Sequence, residues 1–281
     1  MKKSTKALMA GLLIVPAALA MTACGGSSVP SIIDTNGNYS AANEASFTEA
    51  ANILEGDAVA SEFDSYRMLL NIDMDMTESY QGITMRGGVK LSTDSLINLA
   101  DGFDMKTVLT TEYTGDYAKA YEQMGESAKS VMEQYYIDGY GYMYDDYSEN
   151  WIGTGYADEV AFDFSSLFAE TSLQDQAGIN VWVDNNTETG TTKIKMTMDA
   201  GVLEAFAADA GDGLNPSASF DWDQAEVYYV LQDGKLEGMK LTMSYSATVS
   251  EYGVTGSGTC KITLQVAKTD AVIEYPAGLV D

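Results

Sequence analysis

The sequence has no histidine, two cysteines and four prolines in 281 residues. Without histidine there is no usual general base at neutral pH, no Ser-His-Asp or Cys-His constellation, and no imidazole for zinc. Basic residues are also scarce. The count is 15 Lys+Arg against 42 Asp+Glu, a formal charge of −27. A surface of that sign repels phosphate backbones, which excludes nucleic acid as a partner. The apolar run from Ala7 to Met21 is interrupted by Pro16 and is shorter than the ~20 residues that a membrane-spanning helix needs. The acidity is not a sign of disorder, because apolar residues make up 46% of the chain and can bury a core.

What is present begins with a leader. Lys2, Lys3 and Lys6 precede the apolar run, and Thr22-Ala23 supply small residues after it. This is the layout of a secretory signal peptide over residues 1–23. Met21-Thr22-Ala23-Cys24, followed by Gly25-Gly26-Ser27-Ser28, resembles the lipobox of bacterial lipoproteins, although Met21 stands where Leu is usual. The resemblance implies cleavage before Cys24 and a diacylglyceryl group on its sulfur. It also implies acyl chains such as palmitate in the cell membrane and a domain on the extracytoplasmic face. Each buried methylene contributes about 0.8 kcal/mol, and two or more chains hold stably. Residues 24–40 are rich in Gly, Ser, Asn and Thr, the composition of a flexible tether. With Cys24 acylated, Cys260 has no partner for an internal disulfide.

Residues 41–281 read as one β-rich domain. A helix is expected over Ala41–Glu55, capped by Ser40 and stopped by Gly56. From Met68 to Met76 the even positions are apolar and the odd ones mostly polar, which is the period of a half-buried antiparallel strand. The pattern recurs through Ile83–Ser92, Phe103–Thr110, Ile179–Asp184, Ile194–Met198, Val227–Leu231, Met239–Ala247 and Cys260–Val266. A second helix is expected over Tyr117–Met132, with Ala128 and Val131 on its apolar face and Gly125 kinking or splitting it. A tyrosine-laden strand follows over Gln134–Tyr144. Trp151 to Tyr156 reads as a loop or short strand, and Phe162–Ala169 as a short helix. Another short helix capped by Asp199 ends near Phe206. Asp233-Gly234 marks a hairpin, and Val272–Tyr275 an edge strand stopped by Pro276. The fold class is α+β, with about eight to ten antiparallel strands and a few helices. One sheet face meets the helices and the other carries the charge.

The lipobox, the Gly/Ser run, the amphipathic helix and the alternating strands resemble bacterial lipoproteins of the LolA/LppX-like fold. Ser65-Tyr66-Arg67-Met68, Tyr140-Gly141-Tyr142-Met143-Tyr144 and the Asp233-Gly234 hairpin belong to the same likeness. The chain is most similar to an uncharacterised Gram-positive family of that architecture. The resemblance implies a strongly curved sheet, a half-barrel with helices on its concave face, enclosing an apolar cavity that carries a lipid or another hydrophobic ligand.

Candidate sites follow from the pattern. Met74, Met76, Met85, Leu241 and Met243 lie on apolar strand positions and are the candidate cavity lining. Methionine suits an irregular acyl chain, and it also serves as ordinary core filler. Tyr136, Tyr140, Tyr142 and Tyr144 share a parity on the expected strand, with Tyr135 on the other. Such a row can stack on sugar rings or simply favour the strand. Asp73/Asp75, Asp145/Asp146 and Asp221/Asp223 lack the spacing of a calcium loop. An enzyme here would have to work through carboxylates alone. The expected function is therefore binding rather than catalysis, with no cofactor and no metal. The partners are the membrane, through Cys24, and a possible hydrophobic ligand. The alternative is a cell-envelope interaction or structural lipoprotein without a small ligand.

Overall fold

The computed structural model describes residues 31–42, 64–80, 82–100, 102–138, 140–145, 150–156, 178–209, 218–251 and 254–279. Their strands join into one antiparallel sheet of twelve. Strand β1 is Ser40–Ala41. A first meander follows: β2 (Ser65–Tyr80), β3 (Ile83–Asn98), β4 (Asp104–Tyr113), helix α1 (Gly115–Gln123), β5 (Lys129–Ile137), β6 (Tyr140–Asp145) and β7 (Asn150–Tyr156). A second comprises β8 (Ile179–Asn186), β9 (Thr191–Met198), helix α2 (Ala200–Asp209), β10 (Ala218–Gln232), β11 (Lys235–Glu251) and β12 (Val254–Lys268). The spatial order is β1-β8-β9-β10-β11-β12-β2-β3-β4-β5-β6-β7. The two meanders are thus seamed where β12 pairs with β2 along fifteen positions, Val254↔Tyr80 to Lys268↔Tyr66. The sheet is curled and not closed into a barrel.

Period-two alternation decides the faces. One row across the seam reads Met196, Val227, Leu241, Leu264, Leu70, Thr93, Leu109 and Met132. The next reads Met198, Ala225, Met243, Ile262, Ile72, Leu91 and Thr111. This inner face forms the main core. Tyr117, Ala118 and Tyr121 of α1 pack on it, as do Val202 and Leu203 of α2. Tyr121 stacks on Tyr113 at 4.5 Å between ring centroids. Helix α2 starts as its sequence predicts: the Asp199 carboxylate accepts the Val202 N–H at 3.1 Å, satisfying a donor that the first turn leaves free.

Three expectations are corrected. Helix α1 ends at Gln123 rather than continuing to Met132. Gly125 adopts φ +80° and closes the helix as its left-handed C-terminal residue, with its N–H donating to Glu122 O at 3.0 Å. Ala128 then donates no helical face, and Val131 lies 60% exposed in β5. The expected strand Gln134–Tyr144 is a hairpin. Asp138 takes φ 50°, and Tyr135 pairs with Tyr142. Of the two forms expected for Trp151–Tyr156, the strand is the one formed, as part of β7. Val272–Tyr275 joins no strand. It is an extended segment laid over the outer face, with Ile273 buried. The expected helices Ala41–Glu55, beyond Ala42, and Phe162–Ala169 lie outside the described residues.

Both ends of the described chain fasten to the outer face. Residues 31–39 cross β12, β11, β10 and β9 before β1 pairs with β8. Gln265 Oε1, buried in β12, accepts Ser31 Oγ at 2.9 Å and the Ile32 N–H at 3.2 Å. Ile33 is buried over Gly238, where a Cβ would meet Val266 O at 2.6 Å and Ile33 Cδ1 at 3.0 Å. Lys193 donates to Asp34 at 2.8 Å and to Asn36 O at 2.6 Å. So the 31–40 portion of the expected tether is held against the sheet. At the other end, Ile273 and Leu279 pack on Tyr135 in a second, smaller core with Leu96, Ile137, Tyr142 and Trp151.

Candidate functional site

The five candidate lining residues share the inner face. Met74 pairs with Cys260 and Val89, Met76 with Gly258 and Gly87, and Met85 with Glu78. Leu241 and Met243 pair with Leu264 and Ile262. Met74, Leu241 and Met243 are buried within the main core. Met76 and Met85 are half-buried and lie further along, where the long strands outrun it.

A groove of about 510 Å³ opens at Met76. Gly87, Ala247 and Gly258 line it from the same inner-face row, and Asp75, Arg86, Ser246 and Thr259 line it from the outer-face rows. Beside it, Phe220, Trp222 and Tyr245 form an aromatic cluster, with Trp222 and Tyr245 centroids 4.9 Å apart. Burial raises the Cys260 thiol above its ordinary pKa, opposed by a hydrogen bond with Tyr245. It is a structural thiol rather than a nucleophile. At the far tip of the same strands, Ile83 is 70% and Tyr80 49% exposed.

One inner-face feature escaped sequence reasoning. Ser95 and Thr107 are buried and hydrogen-bonded at 2.9 Å. They stand between Thr93 and the buried Ile97 in the alternation that begins at Val89 and Leu91, so parity alone would have placed them. The described inner face is therefore apolar across the second meander and partly hydroxylic across β3 and β4.

The tyrosines separate. Tyr136 lies on the inner-face row with Met105, whereas Tyr135, Tyr140, Tyr142 and Tyr144 lie outside. There Trp151 sits edge-on to Tyr135 at 5.2 Å and to Tyr144 at 5.3 Å. Tyr275 reaches over the cluster and donates to Asp104 at 2.7 Å.

Charge is laddered on the outer face. One row reads Lys261, Asp73, Lys90, Glu112 and Lys129, alternating in sign across five strands. Arg67 grips Asp94 through two hydrogen bonds of 2.9 and 2.6 Å. Lys106 faces Glu133 at 3.4 Å, and Lys195 faces Glu226 at 2.7 Å. Lys193, Lys240 and Arg86 complete the set on outer-face rows. The leader holds three of the 15 Lys+Arg (Lys2, Lys3 and Lys6), leaving twelve. Nine of those twelve stand on this one face. No group of acidic or thiol side chains able to hold a metal occurs among the described residues. Cys24, Asp146 and the side chain of Asp145 lie outside them.

No family model matches the sequence, and no curated protein is similar to it. Among solved structures the chain is similar to lipovitellin, in a study of its lipid–protein interactions. The identity is 10% over 76% of this chain and 26% of that one, with a TM-score of 0.26. It is also similar to a DUF1329 family protein from Desulfovibrio piger, at 7% identity over 80% of this chain and 93% of that one, with a TM-score of 0.21. Scores this low carry no assignment of fold or function.

Proposed function

We propose that this chain is a lipoprotein of LolA/LppX-like architecture, held on the extracytoplasmic face of the cell membrane by acylated Cys24. Its curled sheet binds a lipid or similar hydrophobic ligand on the inner face, without catalysis. The observation that carries the binding reading is the inner face itself. It is an apolar surface running without a break from β9 to β2 in a sheet that does not close, with methionines at Met74, Met76 and Met243 and an aromatic cluster beside the groove at Met76. Methionine and aromatic surfaces adapt to irregular apolar shapes. The lipobox resemblance at Met21–Cys24 supports the anchor.

Native mass spectrometry of protein purified without detergent tests the binding. The expected result is an adduct of several hundred daltons that Met76→Glu weakens. A bare polypeptide mass would overturn it. The alternative, an envelope-interaction protein without a small ligand, is favoured by the outer aromatic cluster, where Tyr144 is 43% exposed. It predicts a bare mass and a partner lost on Tyr144→Ser.

A further inference from the structure

The N-terminal strap encloses space as well as packing on the sheet. One outer-face row reads Asp184, Lys193, Val230, Gly238 and Ala267 across β8, β9, β10, β11 and β12. Ile33 covers Gly238. Beside it a cavity of about 480 Å³ opens between the strap and the sheet, within the size range of small-molecule sites. Val230, Gly238 and Ala267 give it an apolar floor, and Asp34 and Asn36 line it from the strap.

The charge of the lining is one-sided. Asp34, Asp184 and Glu237 stand against a single cation, Lys193, so the balance is 1 − 3 = −2. Lys193 is engaged within the protein: its side chain is 13% exposed, and it donates to Asp34 at 2.8 Å and to Asn36 O at 2.6 Å. Asp184 accepts the Asn38 N–H at 3.0 Å, which uses one of the roughly four acceptor positions of a carboxylate. Glu237 lies 3.8 Å from Lys268, whose side chain is 47% exposed, a contact that solvent screens. Asp184 and Glu237 therefore keep acceptor capacity at two ends of one cavity. Asp184 and Gly238, the neighbour of Glu237, are three strand spacings apart, ~14 Å between backbones, and the apolar floor lies between them.

This arrangement selects among ligands. An anion meets a net negative lining. A neutral polyol can form hydrogen bonds but leaves both carboxylates without a counter-charge. An alkyl diamine places one ammonium at each carboxylate and its methylenes over Val230, Gly238 and Ala267. Charge-assisted hydrogen bonds at both ends are the stronger kind.

We propose that the cavity under the N-terminal strap is a second binding site, for a short alkyl diamine, with Asp184 and Glu237 each receiving one ammonium. It rests on neither the lipid anchor nor the inner face.

The test is calorimetric titration of the full chain in about 0.15 M NaCl, which screens the rest of the acidic surface. The probes are 1,5-diaminopentane, pentylamine and 1,5-pentanediol, which share a carbon chain and differ in charge. The diamine should bind one-to-one and about tenfold more tightly than the monoamine, the order expected for one added charge-assisted hydrogen bond. The diol should give no saturable heat. Asp184→Asn and Glu237→Gln should each bring the diamine down to the monoamine's affinity. Asparagine at 184 still offers an oxygen to the Asn38 N–H, so the strap keeps that bond. Asp221→Asn, at an exposed position of β10 outside the cavity, should change nothing. Diol binding equal to the diamine's would overturn the charge argument. Equal losses at 184, 237 and 221 would show diffuse attraction to the acidic surface and overturn the site. Absence of saturable diamine binding, or diamine binding unchanged by Asp184→Asn and Glu237→Gln, would overturn it as well.

Discussion

At the scale of single residues, the straps give the clearest expectations. Asp34 is held at a pKa of about 2, below its ordinary 3.8, chiefly by the hydrogen bond from Lys193 and then by Asn36. A depressed carboxyl contributes stability above its ordinary pKa and loses it as pH falls through the folded value. The N-terminal strap should therefore loosen between pH 3.8 and about 2. Pepsin cleavage within residues 31–42 should rise over that window, and Asp34→Asn should remove the pH dependence. Ile33 fills the slot over Gly238, so Ile33→Ala should cost about 2 kcal/mol, at the low end for a buried Ile truncation. A urea midpoint unchanged by that substitution would show that the strap is not part of the cooperative unit. Cys260 should resist thiol reagents in the native state and react once the chain is unfolded in urea.

At the scale of elements, Gly125 is the informative position. Its positive φ ends α1 and frees Lys129–Ile137 to become β5. Gly125→Ala should cost about 1 kcal/mol, read from denaturant unfolding. The reason this junction was misread is physical. Tyr117, Ala120, Tyr121 and Met124 do obey the helical period, and Ala128 and Val131 extend it by coincidence. The β-branched and aromatic run Val131, Tyr135, Tyr136 and Ile137 favours a strand instead. The long strands β2, β3, β10, β11 and β12 were legible because alternation persists over many residues. Asp233-Gly234 was legible because its turn chemistry is local. The hairpin at Asp138 carried a turn signal too, but the shared parity of Tyr136 and Tyr140 hid it. The straps were not legible at all. Ser31 to Asn38 reads as linker by composition, and only the buried Gln265 and the bare Gly238, more than 200 residues away, turn it into a packed segment. All five candidate lining residues were placed on one face correctly by parity. Which of them lie under the core and which at its rim depends on where the helices sit, and no local pattern encodes that.

At the scale of the whole molecule, the β12–β2 seam dominates. It joins residues 174 to 202 positions apart, and such pairings slow folding because loop closure precedes the contacts that repay it. A circular permutant opened between residues 156 and 178, with 281 linked to 31, makes the seam more local. It should refold faster than the natural order at similar stability, measured by stopped-flow fluorescence of the tryptophans. Ile262→Ala, fully buried at the seam, should cost about 2–5 kcal/mol, read from denaturant unfolding.

The seam also bears on the birth of the protein. A chain made from its N-terminus presents β2 early and β12 almost last. Throughout that interval the first meander carries an open, sixteen-residue ladder edge with Met68, Leu70, Ile72 and Met74 along it. Open edges of that length template association between chains. A transcript truncated before Val254 would leave two such edges, on β2 and β11, with nothing to unite them. The last strand to arrive acts as the keystone, because β12 alone pairs with both β11 and β2.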